Sequence, residues 1–275
     1  MTMLKTRIIL IFCSAVVIGL LFFLPKAVVE NDSQLESSSH PADTAKGKTA
    51  AAPHVVVPKD LTLKINGLRA RYLSGSKNEK NAIFADSLVT LYREAQKFDS
   101  AAWFAEEAST FFNTQASFLK AGENYYDAFT FTLDPQKQRE LVEKCRLFLN
   151  KVLEADPKNF EVKNKLAMTY ISSSTPMKGI FMLREVLAAD PKNQTALFNL
   201  GMLSVQSGQY DRAIDHLTQL VTINEKHTQG QLLLGVSYMN KGDRAKAKSQ
   251  FEKVKELDKD PAVQATADSY LKDLK

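Results

Sequence analysis

A strict internal period constrains this chain more than any other feature. Asp156-Pro157 returns as Asp190-Pro191, Leu200-Gly201 as Leu234-Gly235, Gly208 as Gly242 and Ala213 as Ala247, each thirty-four positions on. Leu166 precedes Leu200 and Leu234 in the same column. Four independent columns at one spacing imply a repeat architecture, in which no unit buries its apolar face alone and neighbours must stack. Within a unit, apolar or small residues fall at offsets 4, 7, 8 and 11, then at 20, 24 and 27. Both sets follow the spacing of one helix face, so each unit reads as a pair of helices. Small residues at offsets 8 and 20 let the pair approach closely. Asp-Pro is expected to supply an N-cap and first-turn proline for the next helix.

Counted from Phe160, these places hold Lys163, Leu166, Ala167, Tyr170, Gly179, Leu183, Val186 and Pro191. From Gln194 they hold Leu197, Leu200, Gly201, Ser204, Ala213, Leu217, Leu220 and Glu225. From Thr228 they hold Gln231, Leu234, Gly235, Tyr238, Ala247, Phe251, Val254 and Lys259, with the proline displaced to Pro261. This pattern resembles the tetratricopeptide repeat. The resemblance implies an all-α fold: a right-handed superhelix, an α-solenoid of stacked helix-turn-helix repeats. Five units are expected over 82–261, of which 160–193, 194–227 and 228–261 are clear. Units 82–115 and 116–159 are degenerate. The first carries Leu88, Val89, Tyr92, Ala101, Ala105 and Ala108 in register, and the second carries Cys145, Leu149, Val152 and Pro157. The first helix of 116–159, around Leu119 to Phe131, fits only if some ten extra positions lie near 131–138, before Asp134-Pro135 caps the next helix. Capping helices are expected over 60–81, from Leu61, Ile65, Leu68 and Tyr72, and over 262–275, from Val263, Ala267, Tyr270 and Leu274.

Ahead of the repeats, the run from Ile8 to Leu24 carries no charge. As a helix it sits at the short edge of a membrane span. Lys5 and Arg7 before it should stay cytoplasmic, which sends the remainder across. Pro25-Lys26-Ala27-Val28-Val29 offers no small-residue cleavage pattern. The expectation is a basic cytoplasmic N-terminus (1–7), a retained transmembrane signal-anchor helix (8–24) and a disordered linker (25–59) rich in Ser, Ala, Lys and Pro. The repeats then lie on the periplasmic side of a cytoplasmic membrane.

No site of chemistry stands out. The chain lacks a Gly-rich phosphate loop, a CxxC and an HExxH. Two Cys and four His leave little for a metal cluster. No catalytic, cofactor or metal residues are assigned, and the expectation is a non-enzyme. A net charge of +5 over 275 residues is too small to point to nucleic acid. Cys145, at offset 20, reads as a small buried residue, and His216 and His227 read as surface or packing residues. In the resembling family the first helices line a concave binding face. Carried over to this chain, that face offers Asn164, Met168, Ile171, Phe198, Asn199, Met202, Val205, Leu232, Val236 and Met239. Methionines on it suit an adaptable apolar groove for a protein or peptide partner. Packing against a neighbouring unit is the competing reading of the same residues. Asn164, Lys165 and Asn199 suggest the family's carboxylate clamp, but no Arg occupies the matching places. The expected function is a membrane-anchored scaffold. Self-assembly of the solenoid into a homo-oligomer is the alternative, with an enzyme-associated subunit behind it.

Overall fold

The computed structural model describes residues 57–75 and 78–274. The expected anchor over 8–24 and all of the linker before Val57 lie outside them. The described residues form twelve helices and no strand. They are α1 (Lys59–Ser74), α2 (Glu79–Glu94), α3 (Phe98–Phe112), α4 (Gln115–Phe131), α5 (Pro135–Ala155) and α6 (Phe160–Ile171). There follow α7 (Pro176–Ala189), α8 (Gln194–Gln206), α9 (Tyr210–Ile223), α10 (Thr228–Asn240), α11 (Arg244–Leu257) and α12 (Pro261–Asp273). Among the described residues no helix is long and apolar enough to cross a membrane.

The helix boundaries follow local chemistry, with one departure from the sequence reading. Asp134 and Asp260 cap helices whose first residue is proline, as expected for Asp-Pro. Asp156 and Asp190 do not. Each ends the preceding helix, and its carboxylate accepts from the N–H of Lys158 or Lys192 inside the turn. The N-caps come three places later, at Asn159, Asn193 and His227, which recur at the repeat period. Their side chains accept from the N–H groups of Val162, Ala196 and Gly230. Proline has no N–H to donate, and the turn before these helices tolerates that as well as a helix's first position does. His227 therefore has a defined structural task, with Nδ1 accepting at 3.0 Å.

The turn inside a unit is equally specific. Gly208 and Gly242 adopt φ of +69° and +82°, and Gln96 at the same offset adopts +54°. At all three the next residue's N–H reaches back into the preceding helix, Lys97 to Tyr92, Gln209 to Ser204 and Asp243 to Tyr238. This is the left-handed close expected after a helix, and it gives 82–115 the same turn as units 194–227 and 228–261.

Packing within a unit rests on small residues. Gly122, Gly201 and Gly235 face Leu149, Leu217 and Phe251, which are fully buried. Each such large side chain stabilises by roughly 2–3 kcal/mol. The Gly122–Leu149 pair identifies the register of the irregular unit, because it makes the same contact as Gly201–Leu217 across a longer stretch of chain. The extra residues form no loop. They lengthen α4 to 17 and α5 to 21 residues, where α6 to α11 have 12 to 14, and only Thr132 to Asp134 lie between the two. At the N-terminal end, α1 stops at Ser74 and α2 starts at Glu79, so the helix placed over 60–81 is shorter and the first unit begins earlier.

The stack is curved. The first helices α4, α6, α8 and α10 contact one another along the array, whereas the second helices α5, α7, α9 and α11 make no comparable contact with each other. Crowding on one side and splaying on the other puts the first helices on the inner surface.

Candidate protein-binding surface

The inner surface divides chemically. Along α2, α4 and α6 it is polar and closed by bonds between units. Arg93 donates to Asn124 Oδ1 at 2.9 Å and pairs with Asp127 at 2.5 Å. Lys120 pairs with Asp86 at 2.6 Å. Lys165 pairs with Glu123 of the preceding unit and with Glu161 of its own. Sequence reasoning missed this ladder because its partners lie in different units, within a stretch of degenerate repeats. The offset rule could have found it had α4 been in register.

Along α6, α8 and α10 the surface is apolar. Met168, Met202, Leu232, Val236 and Met239 are all half-buried. The other candidates have partners of their own. Phe198 and Val205 pack onto the core formed by Leu197, Leu217 and Leu220, and Phe198 lies 5.1 Å from the His227 ring. Ile171 packs onto the core around Leu183 and Val186. Asn164 is buried at 2 % exposure and donates to Asn193 Oδ1 at 2.9 Å, tying one unit to the cap of the next. Asn199 is also buried. With Lys165 held by two glutamates, the three residues that suggested a carboxylate clamp do not converge on an open space.

Among the described residues no group of three or more His, Cys, Asp and Glu is placed to hold a metal ion. Burial pushes the Cys145 thiol up to about 12, and Sγ donates to Gly122 O at 3.5 Å. That thiol fills space between two helices. Tyr72 and Tyr125 are raised by burial and by their bonds to Glu107 and Glu106. Both are inter-helix struts.

A family model described as the tetratricopeptide repeat matches residues 204–267. Over those residues the chain is similar to the tetratricopeptide repeat. A search of curated protein sequences returns no significant match. Solved structures extend the likeness of fold across the array. A MamA double mutant of strain RS-1 is 17% identical with a TM-score of 0.51, covering 70% of this chain and 99% of that one. MamA from residue 41 to the end, of Desulfovibrio magneticus RS-1, is 17% identical with a TM-score of 0.50, covering 66% and 97%. A thermophilic tetratricopeptide-repeat protein of Thermus thermophilus is 15% identical with a TM-score of 0.51, covering 69% and 98%. At these identities the shared property is the helical-repeat fold.

Proposed function

We propose that the chain is a membrane-anchored scaffold that binds protein or peptide partners and has no chemistry of its own. One observation carries the reading: the tetratricopeptide-repeat array presents an inner face whose C-terminal half is apolar and half-buried, while its N-terminal half is closed by ion pairs. Met168, Met202, Leu232, Val236 and Met239 form a strip along three first helices, the spacing that seats an amphipathic helix or an extended peptide. Methionine side chains adapt to varied partners. The array is taken as a right-handed superhelix. The uncharged run Ile8–Leu24 with its basic flank supports an anchor, with the repeats held outside the cytoplasmic membrane on the segment before Val57.

The test uses the full chain in its native membrane, carrying a photo-crosslinking residue in place of Val236. A partner captured there, and lost from Met202→Glu/Met239→Glu, supports the groove. A partner retained by that variant moves the site elsewhere. Recovery of crosslinked copies of the chain alone favours self-assembly. Alkaline extraction and protease accessibility test the anchor and its orientation separately. Release of the chain into the soluble fraction would overturn the anchor while leaving the scaffold standing.

A further inference from the structure

A second concave site lies where the third unit meets the fourth. It is a pocket of about 340 Å³ formed by α7, the C-terminal ends of α6 and α8, and α9. It lies beside the turn of the third unit. The next two turns close tightly on Gly208 and Gly242, but this unit has Ser174 at that offset and no positive φ. Ser172 to Thr175 separate α6 from α7, one residue more than in each of the next two units. α7 starts at Pro176 and leaves Met177 52% exposed.

The pocket has an apolar floor and a basic rim. Ile171, Ile180 and Leu203 supply the floor, and the exposed Met177 stands at its edge. Arg184, Arg212 and His216 are the ionisable groups that line it, and no carboxylate does. Of the nearby acids, Glu185 pairs with Lys163 at 2.8 Å and Asp211 with Lys241 at 2.8 Å, while Asp215, beside His216 on α9, is exposed and does not line the pocket. Arg212 donates one bond, to Gln209 Oε1 at 2.6 Å. His216 Nδ1 is buried and has no hydrogen-bond partner.

We propose that this pocket binds an acidic peptide segment, a Glu or Asp side chain beside a large aliphatic or aromatic one. A guanidinium recognises a carboxylate through paired charge-assisted hydrogen bonds. The floor takes the apolar neighbour, with Met177 as the adaptable wall. A volume near the lower end of ligand pockets fits a few side chains and excludes a folded domain. This rests on the reading of the chain as an interaction protein, and assigns a partner chemistry to this second site.

The experiment uses the full chain in mild detergent and a positional-scanning library of fluorescein-labelled heptapeptides, read by fluorescence anisotropy. Peptides with Glu or Asp next to Leu, Ile or Phe are expected to bind about tenfold tighter than their Gln or Asn counterparts at low salt. The preference should shrink at high salt. Arg184→Ala/Arg212→Ala, at two exposed positions, should erase the preference, and Met177→Glu should do so independently. Met202→Glu/Met239→Glu should leave it unchanged. Equal binding of the amide counterparts, or a preference that survives the arginine variant, overturns the proposal. Binding lost only from the Met202/Met239 variant overturns the pocket and leaves the scaffold reading intact. No binding of any peptide overturns the pocket, while partner capture at Val236 still decides the scaffold. Arginine-dependent co-sedimentation with phosphatidylglycerol vesicles in place of peptide binding would make the site a lipid site and overturn it as well.

Discussion

Two glycines in helix interiors should respond to the same substitution with opposite signs. Gly67 in α1 has nothing within 4 Å of where a Cβ would stand. Gly67→Ala therefore gains helix propensity alone, about 0.8 kcal/mol. Gly179 in α7 occupies offset 20, where other units carry Ala101, Ala213 and Ala247. The repeat pattern alone thus predicts that alanine is welcome there. The structure says otherwise: a Cβ at Gly179 would stand 2.3 Å from Ala167 O and 2.7 Å from Ile171 Cγ1. An ordinary carbon–oxygen contact is about 3.3 Å or longer, so α6 or α7 must shift by about 1 Å. The obstacle is backbone and cannot rotate aside. Overpacking of this kind costs about 3 kcal/mol, which the propensity gain of about 1 kcal/mol only partly offsets. The expected net is a loss of about 2 kcal/mol for Gly179→Ala. In a domain of this size that lowers the thermal midpoint by roughly 4–8 °C, while Gly67→Ala raises it by about 2–3 °C. Circular dichroism melts of the full chain in detergent read both, and native hydrogen exchange should place the loss in α6 and α7. A Gly179→Ala midpoint equal to or above wild type would refute the argument that α6 and α7 are in backbone contact at this point.

Other outcomes follow from the same geometry. Gln96→Gly should stabilise by about 0.5–1 kcal/mol in urea unfolding, because a side chain at φ +54° gives way to the residue the later turns use. In a Cys13→Ser background, Cys145 should resist a thiol reagent at pH 8 until denaturant is added, since a pKa near 12 leaves about one thiolate in ten thousand. Burial, with Arg184 and Arg212 nearby, lowers the His216 pKa below its usual value against the opposing pull of Asp215. Its contribution to stability is therefore present above the unfolded value of about 6.5 and is lost as pH falls below it. Melts between pH 7.5 and 5 should show this slope, and His216→Gln should flatten it.

Much of the array was legible in the sequence because a repeat states each contact several times. The columns at Leu166, Leu200 and Leu234, and the glycines opposite Leu217 and Phe251, are one contact written more than once. Legibility fell where that redundancy failed. The extra residues in the second unit read as an irregular insertion, but helix propensity and the Asp134 cap absorbed them into α4 and α5. For the candidate site, the family resemblance carried Met168, Met202 and Met239 onto one expected binding face, and in the structure all three are half-buried. Periodicity could not show that Asn164 is claimed by Asn193 or Lys165 by Glu123, because those partners belong to other units. The basic pocket was out of reach for the same reason: Arg184 meets Arg212 and His216 only because two units stack.

The sequence by itself determined the element type, the period, the Asp134 and Asp260 caps and the buried face of the helices in register. These are local, set by backbone hydrogen bonding and by which side chains leave water. The tertiary structure decided what adjacent units do to one another: the closeness at Gly179, the ion-pair ladder from Arg93 to Lys165, and the pocket beneath Met177. Those depend on distances between helices that no single repeat encodes, where a shift of one ångström turns a tolerated alanine into a clash.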